Sequence, residues 1–125
     1  MDHRELLREA WQRREGPIVF TSVSQEGMPY SIYILSVTLD KDDNFIIADN
    51  YFYKTRKNIE ETSTRALLFI TDEGKAFQVK GELTIHTSGP YYDEMKRVTP
   101  TKFPGHKAVV LHTKELYSGP TQYEL

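Results

Sequence analysis

The stretch FIIADNYFYKTRKNIEETSTRALLFIT, residues 45–71, places a basic, aromatic segment between two apolar runs. FIIAD, residues 45–49, has the composition of a buried strand, and RALLFIT, residues 65–71, reads as another. Between them Tyr51, Phe52 and Tyr53 stand beside Lys54, Thr55, Arg56 and Lys57. The chain turns helical near Thr55, read here as the N-cap, and Ile59 supplies a buried contact. Local physics leaves two readings open. One is a solvated helix start whose basic and acidic residues form surface pairs worth about 0.2–0.5 kcal/mol each. The other is an anion cradle, because a helix's first turn offers free N–H groups and the positive end of its dipole. Lys54, Arg56, Lys57 and the Thr55 hydroxyl would add to such a cradle, which suits a phosphate.

Working outward, residues 2–14 read as a helix with Leu6, Leu7, Ala10 and Trp11 at helical spacing, stopped by Gly16-Pro17. PIVFTSVS is a buried strand and QEGMP a turn. YSIYILSVTLD reads as one long strand, with Ile32 and Ile34 on one face and Tyr33, Leu35, Val37 and Leu39 on the other. AFQVKGELTIHT alternates, with Phe77, Val79, Leu83 and Ile85 inward. Gly81 interrupts that face, which implies a bulge or bend. SGPYYDEMKRV is a helix with Ser88 as a candidate cap, Pro90 in the first turn and Tyr91, Met95 and Val98 on one stripe. TPTKFPGH is a loop, and KAVVLHTKELYSG is the last strand before a short polar tail. The order α, three β, α, two β, α, β with short turns predicts a mainly β (α+β) fold: a six-stranded antiparallel split β-barrel with short flanking helices.

At 125 residues the chain is expected to form a single domain, residues 1–125, with the helix at about 2–14 and the barrel at about 15–119. Sixteen basic and 18 acidic residues give a net charge of −2, so no global field recruits nucleic acid or an anionic membrane. Any anion site must be local. With no cysteine, disulfides, thiolate metal sites and cysteine catalysis are excluded. No run reaches the roughly 20 apolar residues of a membrane helix, and the charged N-terminus has no signal-peptide core. A cytoplasmic setting is expected. His3, His86, His106 and His112 are scattered, although His86 and His112 could meet across paired strands, and no metal site is expected. No elbow-type motif supports a Ser-His-Asp site.

Residues 45–71, taken as an ordered set with PIVFTSVSQEGMPYSIYILSV, AFQVKGELTIHTSGPYYDEMKR and KAVVLHTKELYSG, resemble the FMN-binding split-barrel family, the pyridoxamine 5′-phosphate oxidase-like proteins. The likeness covers about residues 15–119 and is nearest to the family's short FMN-binding members. It implies FMN as cofactor, with Lys54 and Thr55 matching a phosphate-binding Lys-Thr pair. Ser31, Ile32 and Tyr33 match a strand that lies against the flavin through its backbone. Ala48, Asp49 and Asn50 match the strand end lining the ring and ribityl chain, and Asn58 matches a helix position facing the site. The resemblance also implies a homodimer with the cofactor at the subunit interface, and oxidoreductase chemistry on a small molecule or redox partner. The tail SGPTQYEL lacks a basic substrate-gripping region, so FMN binding is implied rather than vitamin B6 oxidation. Deazaflavin or haem on the same fold, a non-enzymatic flavin module and an oligonucleotide-binding barrel are the competing readings. No side chain is singled out as catalytic. Tyr51, Phe52 and Tyr53 stay divided between flavin, interface and core, and the loop with Lys102, His106 and Lys107 between plain loop and lid.

Overall fold

The structure, a computed structural model, describes residues 2–61 and 64–125. Among these residues, three helices and eight strands follow in the order α1 (His3–Gln12), β1 (Arg14–Val23), β2 (Pro29–Ile34), β3 (Val37–Leu39), β4 (Phe45–Ala48), α2 (Lys54–Glu61), β5 (Thr64–Thr71), β6 (Ala76–His86), α3 (Pro90–Val98), β7 (Ala108–Ser118) and β8 (Thr121–Tyr123). All pairings are antiparallel, in the order β2-β1-β5-β6-β7-β4-β3, with β8 added on β7. The two ends of this path, β2 and β3, are joined by Leu35 and Ser36 alone. The sheet therefore curls into a half-barrel, and the split-barrel class fits.

Eight strands replace the expected six for two reasons. The polar tail folds back after Gly119, which adopts φ +57°, and forms β8. The long strand over 30–40 breaks at Leu35–Ser36, where the Val37 N–H donates to the Leu35 carbonyl at 3.2 Å in a tight turn. That break also corrects the expected faces. Ile34 is buried, and Ile32, Val37 and Leu39 all pack on the same core, whereas Tyr33 and Leu35 stay outside. One residue of slip reverses which parity points inward.

The barrel core gathers Phe20, Phe45, Ile47, Leu67, Phe69, Phe77, Val79, Val109, Leu111 and Leu116. Trp11 of α1 enters it edge-on against Phe45 and Phe69, with ring centroids 5.0 and 5.2 Å away. Asp2 caps α1 by accepting from the Arg4 N–H. The helix ends at Gln12, so Gly16-Pro17 does not stop it. That pair lies instead in a bulge of β1 against β5, with Gly16 at φ +70°. On the other side of β4 and β7, Ile46, Ala48, Ala108 and Val110 are covered by Met95 of α3. Gly89 rather than Ser88 occupies the α3 cap position, and Val98 stays exposed. Ile85 is 39% exposed rather than inward, because it lies beyond Leu83 at the far end of β6.

The bulge expected at Gly81 is present as a register shift between Lys80 and Gly81. A Cβ on Gly81 would lie 2.0 Å from the carbonyl oxygen of His112, so the β7 backbone occupies the space a side chain needs. Gly81→Ala should therefore lower stability by about 1–3 kcal/mol in a urea unfolding curve; an unchanged midpoint would show that β7 gives way freely.

Candidate functional site

The break between β2 and β3 faces the end of β4, and a cleft of about 330 Å³ opens between them. Its lining includes Ile32, Tyr33, Leu35 and Ser36 from the broken strand, Ala48, Asn50 and Tyr51 from β4 and its loop, and Phe103. No charged side chain lines it. Its rim is apolar and open: Tyr33 is 75% exposed, Leu35 71% and Tyr51 74%. Asn50 fixes the geometry, because its Nδ2 donates to the Ser36 hydroxyl at 3.1 Å and its Oδ1 accepts from the Gly105 N–H at 2.9 Å. The second bond draws in the loop over 99–107, and Phe103 meets Tyr51 edge-on with centroids 6.4 Å apart. Ser31 lies next to this cleft in a shallower depression of about 220 Å³ with Val19, Ile32 and Tyr33, its hydroxyl 2.8 Å from that of Thr21.

Asp49 does not face this space. Its buried carboxylate takes both Arg56 Nε and Arg56 Nη2 at 2.9 Å and accepts the Phe52 N–H at 3.2 Å. Its main chain is also engaged: the Asp49 N–H donates to the Lys107 carbonyl at 3.0 Å, and its own carbonyl accepts from the His106 N–H at 2.8 Å. Arg56 is therefore a structural cation, held charged by that carboxylate, rather than the surface charge or phosphate donor the sequence left open.

Two residues beyond Phe52, α2 begins at Lys54, with the Tyr53 carbonyl accepting from the Lys57 N–H at 3.2 Å. Tyr53 thus holds the cap position and Thr55 lies within the first turn, correcting its assignment as the N-cap. Lys54 and Lys57 are exposed, while Thr55, Asn58 and Ile59 point inward at i, i+3 and i+4. The Thr55 hydroxyl is the unusual atom: the residue is 1% exposed, and Oγ1 has no hydrogen-bond partner among the described residues. Asn58 Nδ2 donates to the Ser22 hydroxyl at 3.0 Å, and the Asn58 main-chain carbonyl accepts from Arg65 Nη2 at 2.9 Å. Arg65 is almost fully buried, and burial pulls its pKa down to about 10, so it stays cationic at neutral pH. The carboxyl of Glu26 is held low first by its own backbone and by Ser24, then by Lys54 and Lys57, which places both lysines beside the β1–β2 turn.

The residues expected at a site thus fall into two groups. Ile32, Tyr33, Ala48 and Asn50 meet in one cleft, with Ser31 alongside; Lys54, Thr55 and Asn58 form the start and inner face of α2. Sequence reasoning missed Phe103, Ser36 and the buried Arg65. An aromatic between Lys102 and Pro104 in an otherwise polar loop was the available signal for Phe103, and the basic residue heading RALLFIT was the one for Arg65.

With this geometry described, comparison with known proteins shows that the chain belongs to the pyridoxamine 5′-phosphate oxidase family, which it matches over residues 4–118. It is 31% identical to the uncharacterized protein MJ0282 of Methanocaldococcus jannaschii, over 93% of this chain and 84% of that one. Among solved structures it shares its fold with an FMN-binding protein from Syntrophomonas wolfei at 22% identity, with a TM-score of 0.80 over 94% of this chain and 88% of that one. An F420 reductase shares the fold at 14% identity, with a TM-score of 0.65 over 84% of this chain and 91% of that one. A heme-binding protein from Mycobacterium smegmatis does so at 9% identity, with a TM-score of 0.72 over 94% of this chain and 54% of that one. No helix among the described residues is long and apolar enough to cross a membrane.

Two expectations follow from the site's electrostatics. Asp49→Asn keeps the shape but removes the charge from the bidentate pair, and should cost about 1–3 kcal/mol in chemical denaturation; a variant as stable as the parent would remove Asp49 as the organiser of the loop. On the outer face of β6 and β7, burial first and His86 second lower the pKa of His112. Its folded-state value then lies below the unfolded one, so its contribution to stability is complete above the free imidazole range and is lost as pH falls through the folded value. An NMR titration should find the His112 midpoint below about 6.5, and a midpoint at or above that value would contradict the assignment.

Proposed function

We propose that this protein binds FMN, with the phosphate at the start of α2 and the ring in the cleft beside Tyr33 and Tyr51. The observation that carries the reading is the buried Thr55 hydroxyl, which has no hydrogen-bond partner among the described residues. Leaving a buried hydroxyl unsatisfied costs about 1–3 kcal/mol, and a phosphate oxygen is an acceptor that would satisfy it. Lys54 and Lys57 stand over the same helix start, whose free N–H groups complete an anion site. The cleft supports the other half of the ligand. It is apolar and uncharged, and it opens beside β2, a strand at the end of the sheet path that keeps unpaired backbone groups on its outer side. Ser31, Ile32 and Tyr33 would meet the ring through those groups. Ala48 and Asn50 would line it, and Asp49 and Asn58 would act from behind by holding the loop and the helix.

When bound, the flavin supplies hydride or electron transfer, which makes an oxidoreductase acting on a small molecule or redox partner our reading. The chain's own part is to bind, orient and exclude water. A cleft of about 330 Å³ stands at the low end of the about 300–1,000 Å³ usual for ligand sites, and its apolar rim is uncovered. A second copy of the chain placed over Tyr33, Leu35 and Tyr51 would complete it, which is why we read the functional form as a homodimer with the cofactor at its interface. A cytoplasmic setting accords with this reading.

The visible spectrum of the purified protein tests it. Flavin bands, with FMN released on denaturation, are expected; deazaflavin or haem bands would replace FMN with another ligand of the fold, and a colourless protein that takes up no FMN would end the proposal. Thr55→Val isolates the hydroxyl. It should leave the stability of the ligand-free protein unchanged or slightly higher, yet weaken FMN at least about tenfold, the loss expected for one charge-assisted hydrogen bond. Lys54→Ala should weaken FMN more than riboflavin, which lacks the phosphate; equal losses would remove Lys54 from the phosphate site.

A further inference from the structure

On the outer face of β6 and β7, two imidazoles converge on one oxygen. His86 Nε2 and His112 Nε2 each lie 2.7 Å from Thr84 Oγ1, so the two nitrogens are at most twice that distance apart. Thr84 and His86 are two residues apart on β6 and share a face, and Glu82, two residues earlier, pairs directly with His112 on β7. Tyr91 of α3 packs on this pair, with ring centroids 4.9 Å from His86 and 6.2 Å from His112, and its hydroxyl accepts from Asn44 Nδ2 at 3.3 Å. The rings are thus held from one side by an aromatic that is itself anchored.

From this convergence we propose that His86 and His112 form a two-histidine chelate for a divalent transition-metal ion such as Zn²⁺ or Cu²⁺. Thr84 Oγ1 can accept from both Nε2–H groups, or accept from one and donate its hydroxyl to the other, so the contact is compatible with either tautomer of each ring. A metal ion needs both Nε2 lone pairs, which the pair supplies when both rings carry their proton on Nδ1. No net proton is lost in that exchange of tautomers. Zn–N bonds are about 2.0–2.1 Å, so the two rings would close toward each other on an ion lodged beside Thr84. Asp40 and Glu82 act on His112 as negative charges, against Lys114, His86 and the burial of the ring. Strands also place the ligands on stiff elements, with the β6–β7 ladder fixing their spacing. Two protein nitrogens leave the remaining positions to water. That is an open site, suited to binding a further anionic ligand, rather than the closed set of a structural zinc. The described residues hold no trio of metal-ligating side chains, so this pair stands by itself.

Calorimetric titration of the protein with ZnCl₂, in phosphate-free and chelator-free buffer, tests the site. One ion per chain is expected. His86→Ala and His112→Ala should each weaken binding at least about tenfold, whereas His3→Ala and His106→Ala should leave it unchanged. Both target side chains are partly exposed, so unaltered circular dichroism should accompany the loss. A readout without mutation is NMR: substoichiometric Cu²⁺ should broaden the ring resonances of His86 and His112 before those of His3 and His106. Absence of binding by the parent protein, equal affinity in either target variant, or simultaneous broadening of all four histidines would overturn the proposal.

Discussion

The buried carboxylate of Asp49 is the constraint on which the candidate site depends. A carboxylate removed from water must be paired, since an uncompensated buried charge costs several kcal/mol. Arg56 meets that need from the first turn of α2, and the Phe52 N–H adds a third bond, so the end of β4, the aromatic loop and the helix form one unit. The backbone of the same residue pairs with His106 and Lys107, which docks the loop over 99–107 against it. The next residue, Asn50, extends the link to Gly105 and Ser36. Two adjacent residues therefore position both walls of the cleft and the start of α2. The same pairing consumes Arg56. In a chain of net charge −2, it leaves Lys54 and Lys57 as the exposed cations of that turn.

The second constraint is topological. One chain segment must serve both ends of the sheet path, pairing with β1 first and with β4 afterwards. A straight strand cannot do both, and the turn at Leu35–Ser36 resolves the conflict. Its cost is local: Leu35 is left outside, and the ladder opens there. Its consequence is the cleft, because opened strands leave an apolar depression with backbone edges beside it. The bulges at Gly16-Pro17 and at Gly81 serve the same curvature elsewhere in the sheet. Gly81 shows how tightly this is specified, since the opposing carbonyl lies where its side chain would be.

Much of this architecture was legible in the sequence, because alternation and turn residues report directly on strands. Phe77 and Val79 faced inward as their period required, and the isolated Gly81 marked a true bulge. Failures came where geometry depends on partners distant in sequence. Nothing local distinguishes a straight strand from one broken at Leu35, because the break answers the need to reach β4. Ile85 continued the pattern past the edge of the core, and Gly16-Pro17 looked like a helix stop although α1 had ended at Gln12. The candidate site was legible as a neighbourhood rather than as contacts. The resemblance pointed to Lys54, Thr55, Ala48 and Asn50, which the fold brings to a helix start and a cleft, but the commitment of Asp49 to Arg56 needs a fold before it can be seen. Phe103 and Arg65 enter only through loop docking and strand register.

Burial and screening together explain why an anion site of the proposed kind must take this form here. At physiological salt, charges more than about 8 Å apart are largely screened, so a net acidic chain attracts an anion only through groups in near contact with it. Exposed lysines at a helix start contribute little by themselves. A buried donor contributes more, because it has already been removed from water and loses nothing further when a ligand arrives. The inner face of α2 is built in that sense. Thr55 carries a hydroxyl with no partner among the described residues, Asn58 is fixed by Ser22, and the buried Arg65 lies against the Asn58 carbonyl as a permanent cation. Apolar residues at Thr55 and Arg65 would pack against the core with less desolvation cost. The fold keeps polar ones there at a cost in stability, and the phosphate site proposed above gives that cost a use.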